Sequence, residues 1–354
     1  MKALFVTSIA DPHVVGSEGS IELREVPVPE PKEDEVRIKV AYASICGSDA
    51  HVLGGNLGPI RRRVLDSLPR RMGHEVSGTI DKLGERAAAL GWEVGDRITA
   101  NYRHFCNACY YCHNGMENFC LHPVQHTDAM AEYICWNVSQ IYKVPEPVNL
   151  LHASMTEPLS IALNAVQVAK VRFGSRVAIV GAGGIGLMAV QLARLAGAAQ
   201  IAVFDLVEKK RQIALLTGAD ICLDPTHPTA LSEAQSFTQN LGFDCVLECS
   251  GASSAAKMAL SLISPDGDGV FFSMYQPDFS LEVNLFSELY LSSKHLHGMY
   301  TSADCFPRTI AVLSHINFEP IIQKMYPLVE CKKAFDDQLT GQYAKIVLSV
   351  DNKN

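Results

Sequence analysis

Val177-Ala178-Ile179-Val180-Gly181-Ala182-Gly183-Gly184-Ile185-Gly186 is the stretch on which the fold of this 354-residue chain turns. Four apolar residues run straight into a G-x-G-x-x-G turn, and the amphipathic pattern Ile185–Ala196 follows at once. The glycines of such a turn let backbone approach a pyrophosphate, and the helix starting there offers free N–H groups and the positive end of its dipole. A tight packing turn would carry the same glycines; the strand before and helix after make the motif a dinucleotide signal. Nineteen residues past Gly186, at the end of the next apolar run, stands Asp205. An acid there accepts hydrogen bonds from the adenine ribose hydroxyls and repels a 2′-phosphate, which favours NAD over NADP. Lys209, Lys210 and Arg211 follow, either softening that preference or forming a solvated helix face. The candidate cofactor set is Gly181, Gly183, Gly184, Ile185, Gly186, Asp205 and Lys210.

Around this turn, short apolar runs alternate with helical patterns. Strands are expected at Arg176–Val180, Gln200–Phe204, Ile221–Leu223, Asp244–Glu248 and Gly269–Ser273. Helices are expected at Ile185–Ala196, Glu208–Leu216, Ala230–Asn240 and Ser253–Leu262. Such alternation is the signature of βαβ units, so the middle of the chain is expected to be an α/β domain with a doubly wound parallel sheet, a Rossmann fold. The first 150 residues read differently: Ile21–Val26 and Glu35–Ala41 alternate apolar with polar residues, and Gly73–Leu83 and Asp96–Ala100 continue that style. The texture changes near Glu157, and the tail from about His295 returns to mixed character, ending in the strand-like run Ala344–Val350. Both chain ends are therefore expected to build one β-rich domain.

Composition bounds the function. With 48% hydrophobic and 19% charged residues a sizeable core is feasible and wholesale disorder is excluded. A net charge of −8 argues against a nucleic-acid binder or a polybasic membrane binder. No apolar stretch reaches the ~20 residues of a membrane span. The opening MKALFVTSIA reads as a first strand rather than a secretory leader, so a cytoplasmic location is expected.

Of eleven cysteines, Cys106, Cys109, Cys112 and Cys120 sit within fifteen residues. Clustered cysteines in a chain without an export signal point to metal before disulfide. Four thiolates close a tetrahedral shell, which makes such a site structural rather than catalytic. The bacterial ferredoxin run has a three-residue last gap followed by Pro; here the gap is seven and Leu121 follows, so zinc is preferred to an iron–sulfur cluster.

Cys46-Gly47-Ser48-Asp49-Ala50-His51, Gly73-His74-Glu75 and Thr156-Glu157-Pro158-Leu159 are weak signals singly, but together they supply thiolate, imidazole and carboxylate, the ligand mix of an open zinc site. The order Cys-Gly-Ser-Asp, Gly-His-Glu, four-cysteine lobe, Glu-Pro-Leu and glycine-rich turn resembles the zinc-dependent medium-chain dehydrogenase/reductase family over essentially the whole chain. Gly95-Asp96-Arg97, Ala131-Glu132-Tyr133 and Glu248-Cys249-Ser250-Gly251 resemble further family landmarks, and Glu-Pro-Leu resembles the sorbitol and 2,3-butanediol dehydrogenase branch.

The resemblance implies a GroES-like catalytic domain over residues 1–160 with the zinc lobe at about 101–122, a Rossmann NAD-binding domain over 161–294, and a return to the catalytic domain over 295–354. It implies Cys46 and His74 as ligands of a catalytic zinc, with Glu75 or Glu157 as the remaining carboxylate ligand and the other on the zinc-bound water. Ser48 and His51 match the family's proton relay, and Asp49 would orient the site. The implied activity is hydride transfer between NAD and a secondary hydroxyl or ketone of a polyol, sugar or related small molecule, in a homodimer or homotetramer. Oxidation of threonine, of a phosphorylated polyol or of a uronate is the alternative in the same class; a catalytically silent zinc- and NAD-binding sensor is the alternative outside it.

Some features depart from the family. The long interval between Cys46 and His74 carries Arg61, Arg62, Arg63, Arg70 and Arg71, which suit an anionic substrate, a solvated lobe or a subunit contact. Asn164 stands where relatives often carry His. His104, His113, His122 and His126 crowd the cysteine lobe, and Tyr300 and Phe306 are aromatic candidates for either the substrate cleft or the core.

Overall fold

Val36, Ile38 and Val40 are buried while the charged residues between them are not, because strand Glu35–Ser44 presents one face to a core and the other to a polar surface. In the computed structural model, which describes residues 1–302 and 304–351, this strand is the spine of the first of two compact units. That unit comprises Met1–Pro158, Ala303–His315 and Ile322–Asn354. Its main sheet runs in the order Ile141–Lys143, Arg97–Ala100, Glu75–Leu83, Glu35–Ser44, Lys345–Ser349, Ile322–Pro327, with Tyr133–Asn137 also paired to Glu35–Ser44. The C-terminal strand thus lies beside the strand that leads into Cys46, with Val347 opposite Ser44. A smaller sheet joins Ser20–Glu25, Lys2–Ser8 and Arg70–Arg71. Leu4, Ile38, Ile80, Ile98 and Trp136 are fully buried in one core.

The second unit, Leu159–Ser302 with Ile316–Ile321, holds a six-stranded sheet. Its order is Ile221–Leu223, Gln200–Phe204, Arg176–Val180, Phe243–Glu248, Ile263–Phe271, His295–Gly298, and every pairing is parallel. Strands covered on both faces lose the alternation seen in the first unit, and Val177 to Val180 are all buried.

The elements depart from expectation at several edges. Helix Ala230–Phe237 stops short of Asn240 because Gln239 and Asn240 adopt left-handed backbone, φ +54° and +62°. The fifth strand starts at Ile263 instead of Gly269, running through a Ser-Pro-Asp-Gly sequence that reads as a turn. The second unit extends past residue 294, its expected end, because His295–Gly298 adds a sixth strand.

Candidate active site and metal centres

Cys46 directly precedes helix Gly47–Gly54, and its backbone N–H donates to Asp49 Oδ2 at 3.0 Å. That bond fixes the turn between the strand Glu35–Ser44 and the helix. His74 and Glu75 arrive from the other side, where Gly73 crosses against Met130 with φ +89°. A Cβ on Gly73 would lie 2.9 Å from the Met130 backbone nitrogen, so only glycine fits there. The result is a cluster: ligand atoms of Cys46, His74 and Glu75 all lie within 4.8 Å of one another.

The cluster is rich in charge and half-buried or buried throughout. The Glu75 side chain is fully buried. Its Oε2 accepts from Lys345 Nζ at 2.5 Å and from the Ser44 hydroxyl, while Oε1 has no hydrogen-bond partner among the described residues. Burial pushes the Glu75 carboxyl up, but Lys345, His74 and Ser44 outweigh it and the net shift is downward. Lys345 is itself buried and also donates to the Ile45 carbonyl at 2.9 Å. The His74 ring packs against Tyr102 at 5.0 Å between centroids, and its Nδ1 lies 3.8 Å from Asp49 Oδ1. Burial opposes charge on His74, yet the Cys46 sulfur, Asp49 and Glu157 hold the imidazole well above its usual range.

Glu157 lies in the first turn of the helix Thr156–Val168 and is buried, outside the tight trio but within electrostatic reach of His74 and Glu75. Desolvation pushes its carboxyl up to about 7. Ser48 and His51 are half-buried and three positions apart on one helix, hence on one side of it. Burial holds the His51 imidazole below its ordinary range.

This donor set fits a zinc ion. A sulfur, an imidazole and a buried carboxylate converge, Glu75 Oε1 has no hydrogen-bond partner among the described residues, and the surrounding acids Asp49 and Glu157 leave Lys345 outnumbered.

The second cluster fits zinc by distance. Cys106, Cys109, Cys112 and Cys120 hold sulfur–sulfur separations of 3.5, 3.6 and 3.9 Å along three edges. A tetrahedron with Zn–S bonds of about 2.3 Å has edges of about 3.8 Å, whereas a disulfide needs about 2.05 Å. Backbone N–H groups of Cys106 and His122 both point at Cys120 Sγ, each at 3.4 Å. Backbone donors from Leu121 and Cys112 draw the Cys109 thiol down to about 6. Two of the neighbouring histidines are engaged elsewhere: His104 meets the Ser139 hydroxyl at 3.0 Å, and His126 packs on Trp136.

In the second unit, Gly186 packs so closely on the Gly181 carbonyl that a Cβ would fall 1.9 Å from its oxygen. A Cβ on Gly183 would meet nothing, so that side of the turn is open to a phosphate. Helix Gly184–Leu195, which includes Ile185, starts from the turn. Asp205 accepts from Ala182 N at 2.7 Å and from Val207 N at 2.8 Å, which ties the acid to the turn itself. Lys210 is buried, and desolvation holds its amine below the usual range against the pull of Asp205. Arg211 donates to the Asp205 and Leu206 carbonyls and, at 3.3 Å, to Asp224.

Lys345, Ser44 and Tyr102 escaped the sequence reading. Lys345 carried one signal: a lone cation in the apolar run Ala344–Val350. Phe306 is fully buried against Tyr142, Tyr300 is half exposed, and Asn164 donates to the Thr301 carbonyl at 2.8 Å.

Comparison with known proteins agrees with this layout. Residues 32–146 match the alcohol dehydrogenase GroES-like domain and residues 184–315 the zinc-binding dehydrogenase domain. An L-threonine 3-dehydrogenase of Bacillus velezensis is 30% identical over 92% of this chain and 94% of its own length. A sorbitol dehydrogenase of Halalkalibacterium halodurans is 30% identical over 94% of this chain and 96% of its own. A crystal structure of a candidate zinc-binding dehydrogenase (gutB) from Clostridium scindens superposes with a TM-score of 0.96 at 44% identity, covering 99% of this chain and 100% of that one.

Proposed function

This chain belongs to the zinc-dependent medium-chain dehydrogenases, and on that premise we propose that it oxidises a secondary hydroxyl of a polyol, sugar or related small molecule, with NAD as the hydride acceptor. The observation that carries the reading is the convergence of Cys46, His74 and Glu75, with one buried Glu75 oxygen lacking a hydrogen-bond partner among the described residues. Cys46 and His74 would hold the catalytic zinc, with Glu75 or Glu157 as the carboxylate ligand. The four lobe cysteines, Cys106, Cys109, Cys112 and Cys120, would hold a structural one. Bound zinc supplies Lewis acidity toward a hydroxyl, and the dinucleotide supplies the ring that accepts hydride.

The chain's own residues do the rest. Ser48 Oγ takes the hydroxyl proton and the His51 imidazole carries it outward, since both sit on one helix side and burial keeps His51 neutral. Lys345 and Ser44 hold Glu75 Oε2, so the carboxylate presents its other oxygen to the site. Asp49 steadies both the Cys46 turn and the His74 ring. Gly181, Gly183, Gly184, Ile185 and Gly186 would cradle the pyrophosphate, and Asp205 with Lys210 would take the adenine ribose. NAD is favoured over NADP because Asp205 repels a 2′-phosphate, while Arg211 is bound to Asp224 and to backbone.

In this reading the unit containing Met1–Pro158 is the catalytic domain and the unit containing Leu159–Ser302 binds the dinucleotide. A homodimer or homotetramer is supported by the exposed apolar segment Leu285, Phe286, Tyr290 and Leu291, next to the sheet's end strand His295–Gly298. A cytoplasmic location suits four thiolates that must stay reduced.

The test is metal content together with an NAD-reduction screen over polyols, inositols, sugars, their phosphates, uronates, diols and threonine. The expected result is two zinc ions per chain and turnover of one such class. Turnover by metal-free protein would refute the proposal.

A further inference from the structure

The order of the six-stranded sheet reverses between Arg176–Val180 and Phe243–Glu248. In an open sheet of this kind a dinucleotide lies across the crevice outside the carboxyl ends of the strands at that reversal. Asp205 follows Gln200–Phe204 on one side and is read above as the adenosine end, so the nicotinamide end falls on the side of Phe243–Glu248. Glu248 is the last residue of that strand and stands opposite Val180, directly before the glycine-rich turn. The Cys249 N–H donates to the Val180 carbonyl at 2.8 Å, and a Cβ on Gly181 would lie 2.9 Å from the Ser250 nitrogen. The glycine-rich turn and the segment Cys249-Ser250-Gly251 therefore touch at the reversal.

The Glu248 side chain is folded into that segment and is fully buried. Its Oε1 accepts from the Ser250 N–H at 2.9 Å, the Ser250 hydroxyl at 2.6 Å and the Gly251 N–H at 3.1 Å. Its Oε2 accepts from the Tyr275 hydroxyl at 2.6 Å. Backbone N–H groups only donate, so the group that meets them is a carboxylate acting as acceptor. Every one of these donors is neutral, and Glu248 pairs with no cation among the described residues, whereas the equally buried Glu75 has Lys345. Its titratable neighbours add no charge of their own. Burial and then Glu248 push the Cys249 thiol up, and burial and the Glu248 bond do the same to the Tyr275 hydroxyl.

An amide would fill the same bonds: its oxygen would accept from the two N–H groups, its NH2 would face the Tyr275 oxygen, and no buried charge would be left unbalanced. The shape of the loop therefore does not account for a negative charge at this position. A cation arriving in the crevice does. The nicotinamide ring is positively charged in the oxidised dinucleotide and neutral in the reduced one.

We propose that Glu248 determines the redox form of the dinucleotide the site prefers, holding NAD⁺ more tightly relative to NADH and so favouring exchange of the reduced form for the oxidised one. The proposal rests on the dinucleotide reading above.

The test measures dissociation constants of NAD⁺ and NADH for the zinc-loaded protein by calorimetry. Glu248→Gln keeps the bonds and removes the charge, and it should weaken NAD⁺ relative to NADH by about tenfold. Tyr275→Phe removes a bond and keeps the charge, and it should leave the ratio of the two constants unchanged. Pyrophosphate and adenosine are common to both forms, so a role confined to loop shape moves the two constants together. Ser250 is exposed, so Ser250→Lys keeps the test open if Glu248→Gln does not fold: an ammonium beside Glu248 offsets the same charge and should shift the ratio in the same direction. Binding of both forms with the ratio unmoved in Glu248→Gln, or in Ser250→Lys where that variant does not fold, overturns this proposal alone. A parent protein that bound neither form would overturn the dinucleotide reading along with it.

Discussion

The four-cysteine lobe and the Cys46–His74–Glu75 cluster lie in the same unit and are built on opposite principles. The lobe uses four like ligands from one short stretch, at tetrahedral spacing, with backbone N–H groups turned toward a sulfur. The cluster uses three unlike ligands from separate elements and surrounds them with Lys345, Asp49 and Glu157. The lobe offers four donors of one kind; the cluster offers three and leaves Glu75 Oε1 without a hydrogen-bond partner among the described residues. A complete thiolate shell suits a structural role, whereas an incomplete mixed shell leaves a place for a reacting group.

Cys46→Ser is the strongest way to break that contrast. It should cut kcat/KM by about a thousandfold or more, ~4 kcal/mol of transition-state stabilisation, while one zinc and dinucleotide binding remain. Cys109→Ser should also lose one zinc, but its effect should appear in thermal stability, with turnover retained by whatever protein stays folded. Metal analysis, dinucleotide titration and a melting curve on both variants decide it. If the two variants behaved alike, the division of labour between the clusters would be wrong.

Lys345 sharpens the comparison because it pairs with a carboxylate of the cluster, Glu75, at 2.5 Å. Lys345→Met strands the Glu75 carboxylate in the core, which should cost about 3 to 5 kcal/mol in denaturant unfolding. Adding Glu75→Gln removes the stranded charge and should restore much of that loss, a non-additivity typical of direct partners. The sign with pH follows from the lowered Glu75 carboxyl: the pair's contribution is present above the unfolded-state pKa of about 4.3 and is lost as acid protonates the folded carboxylate. A Lys345→Met protein as stable as the parent would show that the ion pair holds nothing in place.

These two regions also mark how far sequence reaches. The lobe is legible because all its ligands lie on one short segment, and the glycine-rich turn because strand, turn and helix are contiguous. Cys46, His74 and Glu157 were nameable only through the order of short motifs. Nothing local ties Glu75 to Lys345, since strand Lys345–Ser349 reaches Glu35–Ser44 only through the folded sheet. His295–Gly298 was missed as a strand because His-Leu-His-Gly has no apolar alternation; its pairing to Ile263–Phe271 is what makes it one. The arginine interval looks uniform in sequence, and only the fold shows that Arg61 donates to the Gly55 and Ala10 carbonyls, Arg62 pairs with Asp66 and Arg71 faces Asp128.

The smallest expected effect concerns proton movement, which a reacting site needs and a closed thiolate shell does not. Burial holds His51 below its ordinary pKa, so near neutral pH its ring is unprotonated and can accept a proton. As pH falls through that depressed value the ring becomes charged, loses its acceptor nitrogen, and kcat/KM should decline on the acid side. His51→Asn should lower kcat/KM by about tenfold to a hundredfold and flatten this acid limb, and added imidazole should restore part of the rate. Zinc content of the lobe should stay constant over the same pH range, so that the decline belongs to the reacting site alone. An acid limb identical in parent and variant would remove His51 from the proton path, leaving Ser48 to hand its proton directly to solvent.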